Sequence, residues 1–161
     1  MAIAMYPGSF DPLHDGHVHI VEVASQIFEK VYVSAMYNPS KEGFLPLAQR
    51  EELLGRCFSR FDNVTTMSSS DLVVHAAESV SASHLVKGIR GPADLETEIQ
   101  MAQTNKTVSG IQTLFIPAEP QLSYLSSRFI REIALQGGDI TDLVPDEVAN
   151  YLTKGTWRDR S

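Results

Sequence analysis

The chain has 161 residues, 43% of them hydrophobic, and a formal net charge of −7 at pH 7. This length and hydrophobic content predict a single globular domain over residues 1–161 and exclude a largely disordered chain. The negative charge argues against a nucleic-acid-binding protein, which usually presents a basic face. It leaves room for a small polyanionic ligand, because a few cations gathered in one cleft can outweigh the global field locally.

The cysteine content and the N-terminal segment bear on location. Cys57 is the only cysteine, so neither an internal disulfide nor a cysteine-based zinc site is expected. It lies on the apolar side of a predicted helix, which favours a buried packing residue over a reactive thiol. The N-terminus lacks the basic and apolar regions of a signal peptide, and no apolar run is long enough to span a bilayer. We expect a cytoplasmic protein that is not associated with membranes.

Five apolar segments alternate with helical patterns along the chain. The predicted strands are Ala2–Tyr6, Val31–Met36, Val64–Met67, His84–Ile89 and Thr113–Pro117. The predicted helices are His17–Glu29, Leu47–Phe61, Asp71–Ser81 with Asp71 as N-cap, Pro92–Val108, Ser126–Gln136 and Pro145–Leu152. This alternation predicts an α/β fold: a Rossmann-like, doubly wound, five-stranded parallel sheet in one domain, with a short C-terminal helix.

The loops that follow the strands form the candidate site. In open parallel sheets, ligands bind beyond the carboxyl ends of the strands, where the strand order reverses. The unusual residues of this chain fall in those loops, over residues 8–16, 38–44, 68–71, 88–92 and 118–127. We therefore expect these five loops to converge around a ligand.

The loop after the first strand carries the most informative motif. It reads Gly8-Ser9-Phe10-Asp11-Pro12 and closes on His14-Asp15-Gly16-His17 at a predicted helix start. Unpaired backbone N–H groups and the helix dipole favour phosphate at such a point. The imidazole of His17 can donate a hydrogen bond to a phosphate oxygen as its charge grows. Neither a dinucleotide fingerprint nor a P-loop is present. Because the motif stands between the first strand and the first helix, phosphate binding with chemistry at His17 is favoured over a turn with surface histidines.

Cations follow two other strands. Lys41 follows the second strand, and we interpret it as a ligand-binding cation because the chain is short of positive charge. Lys87 and Arg90 flank Gly88 and lead into a helix N-terminus, where cations are unfavourable unless an anion binds between them. Glu98, two turns into that helix, could face the same cleft.

The loop after the fifth strand ends in Ser126-Ser127-Arg128 and opens another helix. One serine should cap that helix, and the hydroxyl and backbone N–H groups should form a second phosphate site.

Together these residues resemble the phosphopantetheine adenylyltransferases, within the nucleotidyltransferase superfamily that carries the H-x-G-H motif. The resemblance rests on YPGSFDPLHDGH, NPSK, SDLV, LVKGIRGPADLETEIQMAQTN, SYLSS and GGDITDLVP, and it covers nearly the whole chain. It implies transfer of the adenylyl group of ATP to 4′-phosphopantetheine, giving dephospho-coenzyme A and pyrophosphate in coenzyme A biosynthesis. It also implies Mg²⁺ and a homohexamer, and it assigns no direct metal ligand.

The resemblance further implies roles for individual residues. His17, Lys41 and Arg90 are the expected catalytic groups, with His17 stabilising the transition state. The expected phosphopantetheine-binding residues are Ser9, Lys41, Val73, Lys87 and Asn105. The expected ATP-binding residues are Ser9, Phe10, His17, Gly88, Ile89, Arg90, Glu98, Leu122, Ser123, Tyr124, Leu125, Ser126, Ser127 and Arg128. Arg128 stands where the family usually has serine, so it either lies near the ATP phosphates or turns away from them.

Two alternatives remain open at this point. The first is another H-x-G-H nucleotidyltransferase, such as a cytidylyltransferase or a nicotinamide-mononucleotide adenylyltransferase. The second is a nucleotide-binding module without catalysis. The combination of His17, Lys41 and Arg90 argues against the second, because a binding module needs no cations placed for an acceptor phosphate.

Overall fold

The structure is a computed structural model that describes residues 1–155 and 157–158. The strands are β1 (Ile3–Gly8), β2 (Lys30–Met36), β3 (Val64–Ser69), β4 (His84–Ile89) and β5 (Gln112–Pro117). The helices are α1 (Asp15–Ile27), α2 (Leu47–Phe58), α3 (Val73–Ser79), α4 (Pro92–Ser109), α5 (Ser127–Leu135) and α6 (Asp146–Thr153), with a 3-10 turn at Pro120–Leu122.

The sheet is entirely parallel, in the order β3-β2-β1-β4-β5. The order reverses between β1 and β4, which confirms the predicted Rossmann-like architecture. β1 pairs with β2 through to Gly8, but its register with β4 extends only over Ala4 and Met5. The two central strands therefore separate toward their carboxyl ends, and a cleft opens at the point where ligands bind in such folds.

Apolar side chains fill both faces of the sheet. The larger cluster joins the β1 and β2 interior to α1, α2, α5 and α6, and the smaller one packs α3 against the other face. α1 shows why this happens: Ile20, Val21 and Ala24 recur at helical spacing and are buried. α4 is different, because none of its 18 residues is buried. It is therefore largely exposed to solvent, although it lies beside the cleft.

Several predicted boundaries are wrong for local reasons. α1 begins at Asp15, two residues before the predicted start, because His14 caps it. Asp71 does not cap α3; Leu72 is the N-cap residue, and the Asp71 N–H donates to Ser69 Oγ at 3.1 Å.

Cys57 packs as expected, and Trp157 is also part of the core. Cys57 is buried, and Trp157 packs on Phe44 with ring centroids 4.6 Å apart. Within the described part of the chain, no helix is long and apolar enough to cross a membrane.

Candidate active site

Two histidines build the N-terminus of α1. Nδ1 of His14 accepts the N–H of Gly16 at 3.1 Å, and Nδ1 of His17 accepts the N–H of His14 at 3.1 Å. These bonds form a capping box made from imidazoles, and the two rings stack with centroids 3.6 Å apart. A Cβ on Gly16 would lie 2.9 Å from His14 Cε1, so glycine lets the His14 ring fold back over the helix start.

The capping bonds fix the protonation of both rings. A backbone N–H can only donate, so each Nδ1 is an acceptor and each neutral ring carries its proton on Nε2. Burial lowers the pKa of His17 well below its usual value, and His14, Arg90 and Lys87 lower it further. Burial also lowers the pKa of His14 to about 4, with a smaller effect from Arg90. At neutral pH the His17 ring is therefore an uncharged donor through Nε2–H.

His17 faces a cleft of about 340 Å³ at the point where β1 and β4 separate. Tyr6 and Phe10 support its ring, with Phe10 edge-on at a centroid distance of 5.1 Å. The predicted site residues that line this cleft are Ser9, Phe10, His17, Lys87, Gly88, Arg90, Glu98, Leu122, Ser126, Ser127 and Arg128. Residues from three loops and three helices thus meet in one cavity.

Lys87 in β4 and Arg90 directly after it are both paired with carboxylates of α4. Arg90 donates to both oxygens of Asp94, at 2.9 and 3.1 Å, and to the Leu125 carbonyl at 2.9 Å. The hydrogen bond from Arg90 lowers the pKa of Asp94. Lys87 Nζ lies 3.5 Å from Glu98 Oε1. The sequence predicted a bound anion between these cations, whereas the structure shows α4 itself supplying the opposing charge.

A second cavity of about 230 Å³ opens on the α3 and α4 side. It shares Ser9, Lys87 and Glu98 with the cleft, so the two spaces are neighbours. Val73 and Asn105 line it, together with apolar residues of α4 and β4. A ligand with a polar end and a mainly apolar arm suits a cavity with this combination of polar and apolar lining residues.

Lys41 lies in a third cavity, of about 620 Å³, between its own loop and α5. That cavity shares Ser9, Ser127 and Arg128 with the cleft, and it shares Ser9, Met36 and Asn38 with the second cavity. The structure therefore brings Lys41 to the border of the space that holds His17 and Lys87 rather than into it.

The start of α5 differs from the prediction. Ser126 is the N-cap residue but makes no side-chain capping bond. Ser127 Oγ instead donates to the Pro12 carbonyl at 2.9 Å, which ties α5 to the first loop. Arg128 Nε lies 3.5 Å from Glu132 Oε1, and the Arg128 side chain is 75% exposed. The α5 N-terminus is therefore left with backbone N–H groups without a hydroxyl cap.

Four of the predicted ATP-binding residues line none of these three cavities: Ile89, Ser123, Tyr124 and Leu125. Leu125 is buried and contributes through its carbonyl, which accepts from Arg90. Tyr124 is 64% exposed, and Ser123 Oγ donates to the Pro120 carbonyl. Ile89 is held by its backbone carbonyl, which accepts from Ala118 N at 2.8 Å.

Sequence reasoning missed the structural partners of the site. It did not give His14 its capping role, and it did not single out Arg50, which is 5% exposed. Arg50 shares the apolar stripe of α2 with Leu53, Leu54 and Cys57. A charged residue at a stripe position was the available signal, because a buried guanidinium needs several acceptors.

Comparisons with known proteins agree with this geometry. A cytidylyltransferase-like family model matches residues 5–133. A Streptomyces coelicolor protein named phosphopantetheine adenylyltransferase is 40% identical over 154 residues, covering 96% of this chain and 97% of the relative. One of the same name from Clostridium tetani is 43% identical over 155 residues, with the same coverage. The chain belongs to the phosphopantetheine adenylyltransferase family. It is accordingly an enzyme of the nucleotidyltransferase class.

The fold of this family member also matches a solved structure. A Vibrio parahaemolyticus protein, provisionally described as a nicotinate-nucleotide adenylyltransferase, superposes with a TM-score of 0.65, covering 94% of this chain and 99% of that one. The two are 20% identical, so this likeness speaks for the fold alone.

Proposed function

We propose that this chain transfers the adenylyl group of ATP to 4′-phosphopantetheine, forming dephospho-coenzyme A and pyrophosphate. One observation carries the proposal: a cleft with a neutral imidazole donor and the cations Lys87 and Arg90 adjoins a second cavity that combines apolar and polar side chains, and Ser9 and Lys87 line both. The polyphosphate would occupy the cleft, and the pantetheine arm would extend along Val73 and Asn105. The near-full-length relatives named for this reaction support the same substrates.

The attacking group needs no general base. A phosphate monoester is already anionic at neutral pH, so the enzyme has to position it and to stabilise charge. The carboxylates in and around the cleft are engaged elsewhere: Asp11 accepts two backbone N–H groups, Asp94 accepts from Arg90, and Glu98 faces Lys87. We assign Lys87 and Lys41 to binding the attacking phosphate. Lys87 would then exchange its Glu98 partner for phosphate oxygens.

The charge that develops on the α-phosphate would be stabilised by His17. Because Nδ1 is used in the cap, Nε2–H is the one ring donor available to a ligand, and it points away from the capped helix start. The lowered pKa keeps the ring neutral. The hydrogen bond from a neutral donor becomes stronger as the acceptor oxygen gains negative charge, and no proton has to be transferred first. Arg90 and the N–H groups at the start of α5 would stabilise the leaving pyrophosphate.

Mg²⁺ fits this site as an ion carried by ATP. Among residues 1–155 and 157–158, no group of three or more histidine, cysteine or acidic side chains could hold a metal. Mg²⁺ is commonly bound through substrate phosphates and waters with one or two carboxylates, and Asp94 and Glu98 border the cleft. The ion would supply charge neutralisation for the leaving phosphates.

The proposal includes a homohexamer in the cytoplasm, where ATP is available. The exposed side of α4 supports self-association, because Leu95 and Ile99 lie one turn apart on it and are each 38% exposed. Apolar groups presented by one helix mark a contact surface when they exceed what a monomer usually exposes. Sedimentation velocity tests the subunit number.

The deciding experiment is a coupled pyrophosphate-release assay with ATP and Mg²⁺. 4′-Phosphopantetheine, nicotinamide mononucleotide and nicotinate mononucleotide are supplied in turn, and CTP replaces ATP in a parallel series. We expect turnover with ATP and phosphopantetheine only. Preference for a mononucleotide or for CTP would reassign the chain within the superfamily, and ATP binding without pyrophosphate release would identify a binding module.

A further inference from the structure

Two buried charged residues, Asp11 of the first loop and Arg50 of α2, bond to the end of the loop that carries Lys41. They are 8% and 5% exposed. Burying a charge is costly unless hydrogen bonds satisfy it, so their bonds indicate what the pair holds in place.

Asp11 grips the backbone of the Lys41 loop. Its Oδ2 accepts the N–H of Phe44 and its Oδ1 accepts the N–H of Leu45, both at 2.8 Å. Hydrogen bonds from N–H groups to a carboxylate are charge-assisted and are stronger than bonds between neutral partners. Both oxygens of one side chain are thus spent on two consecutive residues that follow Lys41 by three and four positions.

Arg50 connects that loop to the sheet. It donates to the carbonyls of Leu45 at 3.1 Å, Met36 at 3.1 Å and Ser9 at 2.8 Å. Met36 ends β2, where the loop that carries Lys41 begins, and Ser9 lies in the first loop. One guanidinium therefore links the two loops. A Cβ on Gly43 would lie 3.1 Å from the Leu45 carbonyl oxygen, 3.6 Å from Arg50 Nη2 and 3.7 Å from Asp11 Oδ2, which places the loop directly against both side chains.

Residues 38–43 of the Lys41 loop are exposed. Lys41 N donates to Asn38 O at 3.1 Å, a contact within the loop itself. The loop is anchored at its far end, where Phe44 packs on Trp157 and Leu45 is buried at 1% exposure. The position of the Lys41 ammonium relative to Ser9 therefore depends on how the hydrogen bonds and packing at Phe44 and Leu45 hold that end.

We propose that Asp11, braced by Arg50, is a positioning residue that sets the Lys41 loop at the distance from Ser9 required to bind the acceptor phosphate. The inference rests on the proposed function. It assigns Asp11 a task distinct from proton transfer, since both of its oxygens are occupied. Misplacing a binding group by about 1 Å can cost on the order of 10²-fold, so a small relaxation of this loop is measurable.

Asp11→Asn tests the proposal, because an amide keeps the shape of the side chain but offers only one acceptor oxygen. One of the two N–H bonds is lost, and the loop gains freedom. We expect the KM for phosphopantetheine to rise about 10-fold while the KM for ATP changes less than about 2-fold. In a Lys41→Ala background the same substitution should change the KM for phosphopantetheine less than about 2-fold, because the positioned group is absent.

Two further variants keep the test decisive. Gly43→Ala disturbs the same junction from the exposed loop side and should raise the KM for phosphopantetheine in the same direction. Asp62→Asn, an exposed aspartate beyond the C-terminus of α2, is the matched control and should leave both KM values unchanged. Equal rises in both KM values, or the same factor in both Lys41 backgrounds, would overturn the positioning role.

Amide hydrogen exchange separates this inference from the proposed function. In Asp11→Asn, protection should fall at Phe44 and Leu45 while the amides of the central strands keep theirs. Unchanged protection at those two amides overturns the inference whatever the kinetics. If the unmodified chain releases no pyrophosphate with phosphopantetheine, the proposed function fails, and the exchange result still decides whether Asp11 holds the loop.

Discussion

The neutral imidazole pair at the start of α1 makes the fold sensitive to acid. Burial lowers the pKa of His14 from 6.5 to about 4. In the unfolded chain His14 therefore takes up a proton near pH 6.5, while in the folded protein it stays neutral until the pH is near 4. The contribution of neutral His14 to the stability of the fold is complete above pH 6.5 and is lost as the pH falls toward 4. At about 1.4 kcal/mol per pH unit, this linkage removes about 2 kcal/mol from the free energy of unfolding by pH 5.

His14→Asn isolates this effect, because asparagine can accept the Gly16 N–H and does not titrate. Urea unfolding at pH 7.5, 6.5 and 5 gives the free energy of unfolding of each protein. Between pH 7.5 and 5 the unsubstituted chain should lose about 2 kcal/mol more than the variant. The same substitution at exposed His75 controls for the loss of a surface histidine. Parallel pH dependences for the unsubstituted chain and His14→Asn would refute a buried neutral His14.

Three further predictions concern the site and its surroundings. His17→Ala should lower kcat on the order of 10²–10³-fold in the pyrophosphate assay with its circular dichroism spectrum unchanged, and near-normal turnover would remove His17 from the reaction. Arg128→Ser should change the KM for ATP less than about 3-fold, because the exposed arginine is screened by solvent; a larger rise would place its charge on the phosphates. Cys57 should react with a maleimide far more slowly in the native protein than in urea, since burial and Glu147 raise its pKa to about 12, and equal rates would contradict this.

The fold could be predicted from the sequence because its signals are local. β1 and β2 are short apolar runs, and α1, α2 and α5 repeat apolar residues every three or four positions. β4 has the predicted bounds, and the loops after β1, β4 and β5 converge on one cleft. The convergence followed from the parallel sheet, since the carboxyl ends of its strands share one edge.

What could not be predicted depends on contacts between distant parts of the chain. Asp11 finds its partners 33 and 34 residues away, and Arg50 reaches Ser9 across 41 residues. Ser127 bonds to Pro12 instead of capping its own helix, because the first loop packs against it. The pairing of Arg90 with Asp94 was readable as a spacing of four residues, yet the sequence alone does not tell whether a cation faces its own helix or a ligand.

The exposed character of α4 has a consequence for how the enzyme behaves on dilution. This helix carries Asp94, Glu98 and Asn105, yet it buries none of its side chains. In the proposed homohexamer a neighbouring subunit would cover this helix, so a protomer released on dilution would keep its sheet but lose order along the cavity that Asn105 lines. Specific activity should then fall with protein concentration before any loss of secondary structure.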